Sequence, residues 1–133
     1  MSKSAIYTAN TSGQAIAVNS IIPVGNTIRR FGCNLRQDGN TIVTLGNGYY
    51  LVTVSATIVP TAAGTISVTA QKDGVAITGA TGSETVSAVS TSVNICMSFV
   101  VRNDCGCDSS TLSFVLGGGD ATISNFAVTV EKL

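Results

Sequence analysis

From Gly48 to Val59 the chain alternates with a period of two. Tyr50, Val52, Val54, Ala56 and Ile58 fall on one side of an extended backbone, and Tyr49, Leu51, Thr53, Ser55 and Thr57 on the other. Only a β-strand turns that period into one apolar and one polar face, because its successive side chains point in opposite directions. The pattern recurs along the chain. Ile66, Val68 and Ala70 alternate with Ser67, Thr69 and Gln71; Val93, Ile95, Met97, Phe99 and Val101 share a side, as do Leu112, Phe114 and Leu116, and then Phe126, Val128 and Val130. Asp73-Gly74 is a favoured pair for a type I′ hairpin, which makes Val75 to Ile77 the return strand. In the first half, Ile6 to Thr8, Ala15 to Val18, Ile28 to Leu35 and Thr41 to Leu45 are separated by the turn-forming clusters Thr11-Ser12-Gly13, Pro23-Val24-Gly25 and Asp38-Gly39-Asn40. No helical stretch survives this reading. Ten short strands with frequent turns predict an all-β sandwich or barrel, and a ten-stranded jelly roll closes such a set into two sheets. Neither a linker nor a repeat interrupts the pattern, so residues 1–133 read as a single domain.

Charge narrows what such a sandwich can do. Seven Lys and Arg balance seven Asp and Glu, and charged residues are only 11% of the chain. No basic field is present to hold nucleic acid or an anionic membrane at long range. The start, Met1-Ser2-Lys3-Ser4-Ala5-Ile6-Tyr7, carries no apolar run of signal-peptide length, and no stretch approaches the ~20 apolar residues of a membrane span. The expectation is synthesis in the cytoplasm without a signal peptide, and neither membrane nor nucleic acid as partner. The chain has no His, which removes Ser-His-Asp and Cys-His nucleophiles and His-containing metal sites. With no paired catalytic carboxylates at readable spacing and no cofactor fingerprint, the reading is a non-enzyme without cofactor.

The residues that could carry chemistry are few. Asp104, Cys105, Cys107 and Asp108 crowd one loop, but Cys-x-Cys lacks the second ligand pair of a zinc signature, so these four are weak metal candidates beside a plain loop. Bridging between chains in an oxidising medium is a further reading of the same thiols. Cys33 and Cys96 fall within strand runs and read as small buried or interface side chains. Asp120 follows Gly117-Gly118-Gly119, which lacks the Lys-Ser or Lys-Thr of a phosphate cradle and reads as a turn. Arg29-Arg30 is a pair, not a patch. Tyr7, Tyr49 and Tyr50 lack the basic groove that would make them a stacking platform for bases. Long strands whose outward faces carry Thr, Ser and Ala but few charges invite association, which monomers suppress with Lys and Glu. Closed, symmetric assembly of identical copies covers such faces without open-ended aggregation.

The order of segments resembles the jelly-roll domains of the tumour necrosis factor and complement globular-head superfamily, including the bacterial versions that tip collagen-like spore-surface proteins. Ile28-Arg29-Arg30-Phe31 leads to Asn40-Thr41-Ile42; Gly48-Tyr49-Tyr50-Leu51-Val52-Thr53-Val54 stands as the Gly-x-Tyr strand; Ile66 to Ile77 is similar to the family hairpin; and Phe126 to Val130 forms a last apolar strand. The resemblance implies a TNF-like homotrimer whose axis is lined by apolar and aromatic side chains, with Tyr7, Tyr49, Phe126 and Val128 as interface candidates. It implies a structural or adhesive module on a particle surface, a bacteriophage virion or a bacterial spore coat, presenting identical surfaces to other surface or virion proteins or to glycans. The sequence departs from the better-known members in lacking a Gly-x-y stalk, a membrane anchor and a secretion signal. The alternative is a soluble, lectin-like carbohydrate-binding domain, motivated by the jelly roll and the Tyr49-Tyr50 pair.

Overall fold

Eleven strands account for the regular structure in the computed structural model, which describes residues 3–88, 91–103 and 109–133. They are β1 (Ala5–Asn10), β2 (Gln14–Ile16), β3 (Asn26–Phe31), β4 (Leu35–Asp38), β5 (Thr41–Thr44), β6 (Gly48–Pro60), β7 (Gly64–Lys72), β8 (Val75–Val86), β9 (Val93–Asn103), β10 (Ser110–Gly117) and β11 (Ala121–Lys132). Two antiparallel sheets result. The first runs β3-β1-β11-β6-β9, with β2 also paired to β11, and the second runs β4-β5-β10-β7-β8.

The period-two runs become the core. Tyr50, Val52, Val54, Ala56 and Ile58 of β6 are all buried, and so are Ile66, Val68 and Ala70 of β7 and Leu112, Phe114 and Leu116 of β10. Inward faces of the two sheets meet, and Phe114 packs edge-on against Phe126 with ring centroids 5.3 Å apart, an arrangement that adds about 0.5–1.5 kcal/mol to simple burial. The Asp73-Gly74 turn takes positive φ at both residues, +52° and +84°, as a type I′ hairpin requires.

Eleven strands replace ten because the expected run Ile28 to Leu35 divides at Gly32. There φ is +81°, and a Cβ would stand 2.1 Å from the Ser4 Oγ. The chain turns from one sheet to the other at that point, so Phe31 is exposed while Leu35 is fully buried. The hairpin's return strand is longer than expected, reaching Val86, with an irregularity opposite Ala70. Ser20 to Ile22 extends the second sheet where β5 stops: the Ile22 amide donates to the Phe114 carbonyl at 2.7 Å and the Leu116 amide to the Ser20 carbonyl at 3.1 Å.

At one end of the sandwich a buried polar cluster joins the sheets. Asn34 Nδ2 donates to the Leu45 carbonyl at 2.7 Å, Asn103 Nδ2 to the Gly46 carbonyl at 3.1 Å, and the Tyr50 hydroxyl to both carbonyls at 2.7 and 3.0 Å. These bonds pin the β5–β6 turn, and burial pushes the Tyr50 phenol pKa up. Ser4 and Lys132 meet at this end, where the Lys132 amide donates to the Ser4 carbonyl at 2.9 Å.

Candidate functional site

With the inward faces spent on the core, interaction must come from what points outward, and the two sheets differ there. Strand register sets the outward side chains of the first sheet in rows. One row reads Phe31, Ala5, Glu131, Leu51 and Val100 from β3 to β9, and the next reads Arg29, Tyr7, Thr129, Thr53 and Ser98. Phe31 is 60% exposed, Val100 50% and Tyr7 38%. A shallow groove of about 130 Å³ lies between Tyr7, Arg29 and Phe31. At the other margin Tyr49 is 52% exposed, with the Arg102 guanidinium 5.8 Å from its ring centre. That distance permits a cation–π contact worth about 0.5–1 kcal/mol at an exposed site.

The second sheet turns hydroxyls outward. Thr65 faces Thr85, Ser67 faces Ser83 and Thr69 faces Thr81. The Thr65 and Thr85 hydroxyls lie 2.9 Å apart and those of Thr69 and Thr81 3.2 Å apart, each a cross-strand hydrogen bond. Part of this sheet's edge is already occupied by the Ser20 to Ile22 segment.

The interface candidates divide accordingly. Tyr7 and Tyr49 lie on the outward face of the first sheet, as an interface needs. Phe126 and Val128 do not: both are wholly buried between the sheets, because β11 alternates and its even-numbered residues from Phe126 onward point inward. Of the Tyr49-Tyr50 pair behind the carbohydrate reading, only Tyr49 is exposed, since adjacent strand residues face opposite ways and Tyr50 is in the core. Cys33 and Cys96 are exposed, so of the two readings, buried or interface, the buried one fails. Cys33 follows the break at Gly32, and Cys96 occupies an outward position of β9, beside Ser55. Asp104, Cys105, Cys107 and Asp108 lie outside the described residues. Asp120 serves the turn that was expected of it: its carboxylate accepts from the Val18 amide at 2.8 Å and its carbonyl from the Thr61 amide at 3.1 Å. Arg30 donates through Nε to the Leu35 carbonyl, and Arg29 lies beside Tyr7.

Counting by two sets Leu51 on the outward side of β6 and leaves Val100 opposite the inward set of β9, a positional signal for both, although neither is among the interface candidates. Phe31 had no such signal, because its facing depends on the backbone break at Gly32.

No family model matches the chain, and no curated protein matches it by sequence. Solved structures do match over nearly the whole length. Murine APRIL at pH 5.0 superposes with a TM-score of 0.76 at 11% identity, covering 99% of this chain and all of that one. The globular domain of zebrafish complement 1qA gives 0.72 at 11% identity, covering 99% and 97%. The PRD1 vertex protein P5 gives 0.64 at 17% identity, covering 98% and 96%. The fold is therefore the TNF-like jelly roll.

Proposed function

We propose that this chain is a non-enzymatic homotrimer, a structural or adhesive module on a particle surface. The observation that carries the proposal is the outward face of the first sheet. It exposes Phe31, Tyr7, Val100 and Tyr49 around a half-buried Leu51, while Arg29, Glu131 and Arg102 are its outward charges among the described strand residues. A contiguous set of exposed aromatic and aliphatic side chains, here one row from Phe31 through Leu51 to Val100 with Tyr7 and Tyr49 beside it, marks contact with another macromolecule. A second copy is the simplest occupant, because a threefold rotation lets one margin of the face meet the other margin of the next copy and closes after three.

Two further points support the reading. The TNF-like fold implies threefold assembly by the resemblance stated above, and one of the similar structures is a vertex protein of a virus particle. That likeness favours a virion over a spore coat as the setting. The site offers shape and apolar area, which suit assembly and adhesion rather than turnover.

Light scattering of the purified full chain at micromolar concentration tests the assembly. The expected mass is three chains; a single chain at that concentration removes the physical basis of the proposal. Mass spectrometry of purified virions then tests the setting, with the chain expected among the particle proteins.

A further inference from the structure

We infer that the molecule carries a second site, for a neutral saccharide, in the cleft between the β1–β2 turn and β3. The cleft has a volume of about 430 Å³ and lies toward the opposite end of the sandwich from Tyr49. Its lining contains no charged residue. Four carboxamides, Asn10, Gln14, Asn26 and Asn40, converge there with the Ser12 hydroxyl, and the half-exposed Ile28 side chain forms an apolar wall.

The carboxamide at the back of the cleft is held in place. Asn10 is 5% exposed; its Nδ2 donates to the Gln14 Oε1 at 2.8 Å and to the Pro23 carbonyl at 3.0 Å, and its Oδ1 accepts from the Ser12 amide and hydroxyl at 3.1 and 2.7 Å. Gly25 fixes the opposite wall. Its φ is +84°, and a Cβ there would stand 2.1 Å from the Ala9 carbonyl oxygen, so β3 begins in direct backbone contact with β1. These bonds use up Asn10 and one of the two acceptor sites of the Gln14 oxygen. Among the described residues, the Gln14 Nε2 and the side chains of Asn26 and Asn40 make no protein hydrogen bond, so they are available to a ligand.

The chemistry selects the ligand class. A charged ligand finds no counter-charge in the cleft, and an apolar one would strip water from several amides without replacing their hydrogen bonds. A sugar satisfies both parts. Its neighbouring hydroxyls donate and accept, as a carboxamide does, and its C–H face packs on an aliphatic wall such as Ile28. The volume suits one or two sugar rings.

The test uses the full-length protein, labelled with nitrogen-15, titrated separately with N-acetylglucosamine, methyl α-mannoside, methyl β-galactoside and glycerol. At least one sugar is expected to shift the amides of residues 9–14, 24–28 and 40 saturably at millimolar concentration, while glycerol leaves them unmoved. Gln14→Ala and Asn26→Ala, both at exposed positions, are expected to keep the native spectrum and weaken that binding about tenfold, a difference of ~1.4 kcal/mol. Three results would overturn the inference: no shift with any of the sugars, the same shifts with glycerol, or sugar shifts centred on Tyr49. Native mass is measured in the same samples. A protein of three chains that ignores every sugar rejects this site and leaves the assembly standing, and a single chain that binds sugar does the reverse.

Discussion

The two outward faces of this sandwich are built on the same strand geometry, yet one carries Phe31, Tyr7, Leu51 and Val100 in rows and the other carries paired Thr and Ser hydroxyls. Neither uses the dense Lys and Glu with which monomeric sheets usually keep themselves apart. The hydroxyl face manages without them because its Thr pairs satisfy part of their own hydrogen bonding and water satisfies the rest. The row from Phe31 through Leu51 to Val100 has no such means, and it gains only by being covered. Low charge therefore has two meanings in one molecule, and side-chain chemistry on each face decides which applies.

The sharpest way to break this comparison is to place the same charge on each face. Leu51→Glu sets a carboxylate in the middle of the aromatic face, and in the proposed trimer it does so three times. An unpaired charge at a buried site costs about 3–5 kcal/mol, so the variant is expected to run as a single folded chain in light scattering. Ser67→Glu puts that carboxylate on the hydroxyl face and is expected to leave the mass at three chains. Equal behaviour of the two variants would show that the faces do not differ in the way argued.

Next in size is a change beneath the aromatic face. Phe126→Ala removes a wholly buried ring that packs against Phe114. Such truncations cost about 3–5 kcal/mol. Urea unfolding at fixed protein concentration is expected to shift to a much lower midpoint, while the folded fraction in water keeps the assembled mass. Paired with Leu51→Glu, this separates loss of fold from loss of assembly on two adjoining strands.

Tyr49 and Tyr50 sharpen the contrast within two residues. Tyr50→Phe deletes a hydroxyl that donates to the Leu45 and Gly46 carbonyls, but Asn34 and Asn103 still donate to those oxygens. The expected loss is therefore about 0.5–1.5 kcal/mol, the net value of an ordinary hydrogen bond. The pH dependence follows from burial, which raises the folded phenol above the ordinary tyrosine value of about 10. The neutral phenol is the form the fold favours, so its contribution is complete below that value and falls away as pH rises through the folded pKa. Unfolding of the wild type above pH 10 is expected to show this added alkaline loss, and Tyr50→Phe to lack it.

Much of this was legible in the sequence, and the reason is periodicity. The inward sets of β6, β7, β10 and β11 could be read directly, because a strand's facing follows from counting by two once one residue is placed. Reading failed where counting is interrupted. Gly32 splits the expected Ile28 to Leu35 strand, exposing Phe31 and Cys33 and burying Leu35. The same counting, carried through consistently, already placed Phe126 and Val128 on the inward side of their strand; naming them as interface residues borrowed the aromatic axis implied by the resemblance instead of the alternation. The carboxamide cleft was invisible for a different reason. Asn10, Asn26 and Asn40 are separate turn and strand-end residues in the sequence; the pairing of β1 with β3 and the close approach at Gly25 join the first two, and the Gln37 side chain, bonded to Thr27 and Gly25, brings in the β4–β5 turn that carries Asn40.

The smallest predicted effect tests the hydroxyl face on its own terms. If Thr65 and Thr85 stabilise the second sheet through their mutual hydrogen bond, a double-mutant cycle with Thr65→Ala and Thr85→Ala should return a coupling of about 0.2–1 kcal/mol, the range for cross-strand pairs. The bond is exposed, so water replaces most of what either hydroxyl loses, and neither single variant leaves a buried group unsatisfied. Urea midpoints of the four proteins at one concentration give the coupling, and light scattering is expected to show the same mass for all of them. A coupling well above that range would mean that the pair is desolvated by a neighbouring copy. The hydroxyl face would then be an interface too, and the division of labour between the faces would fail from the side that looked inert.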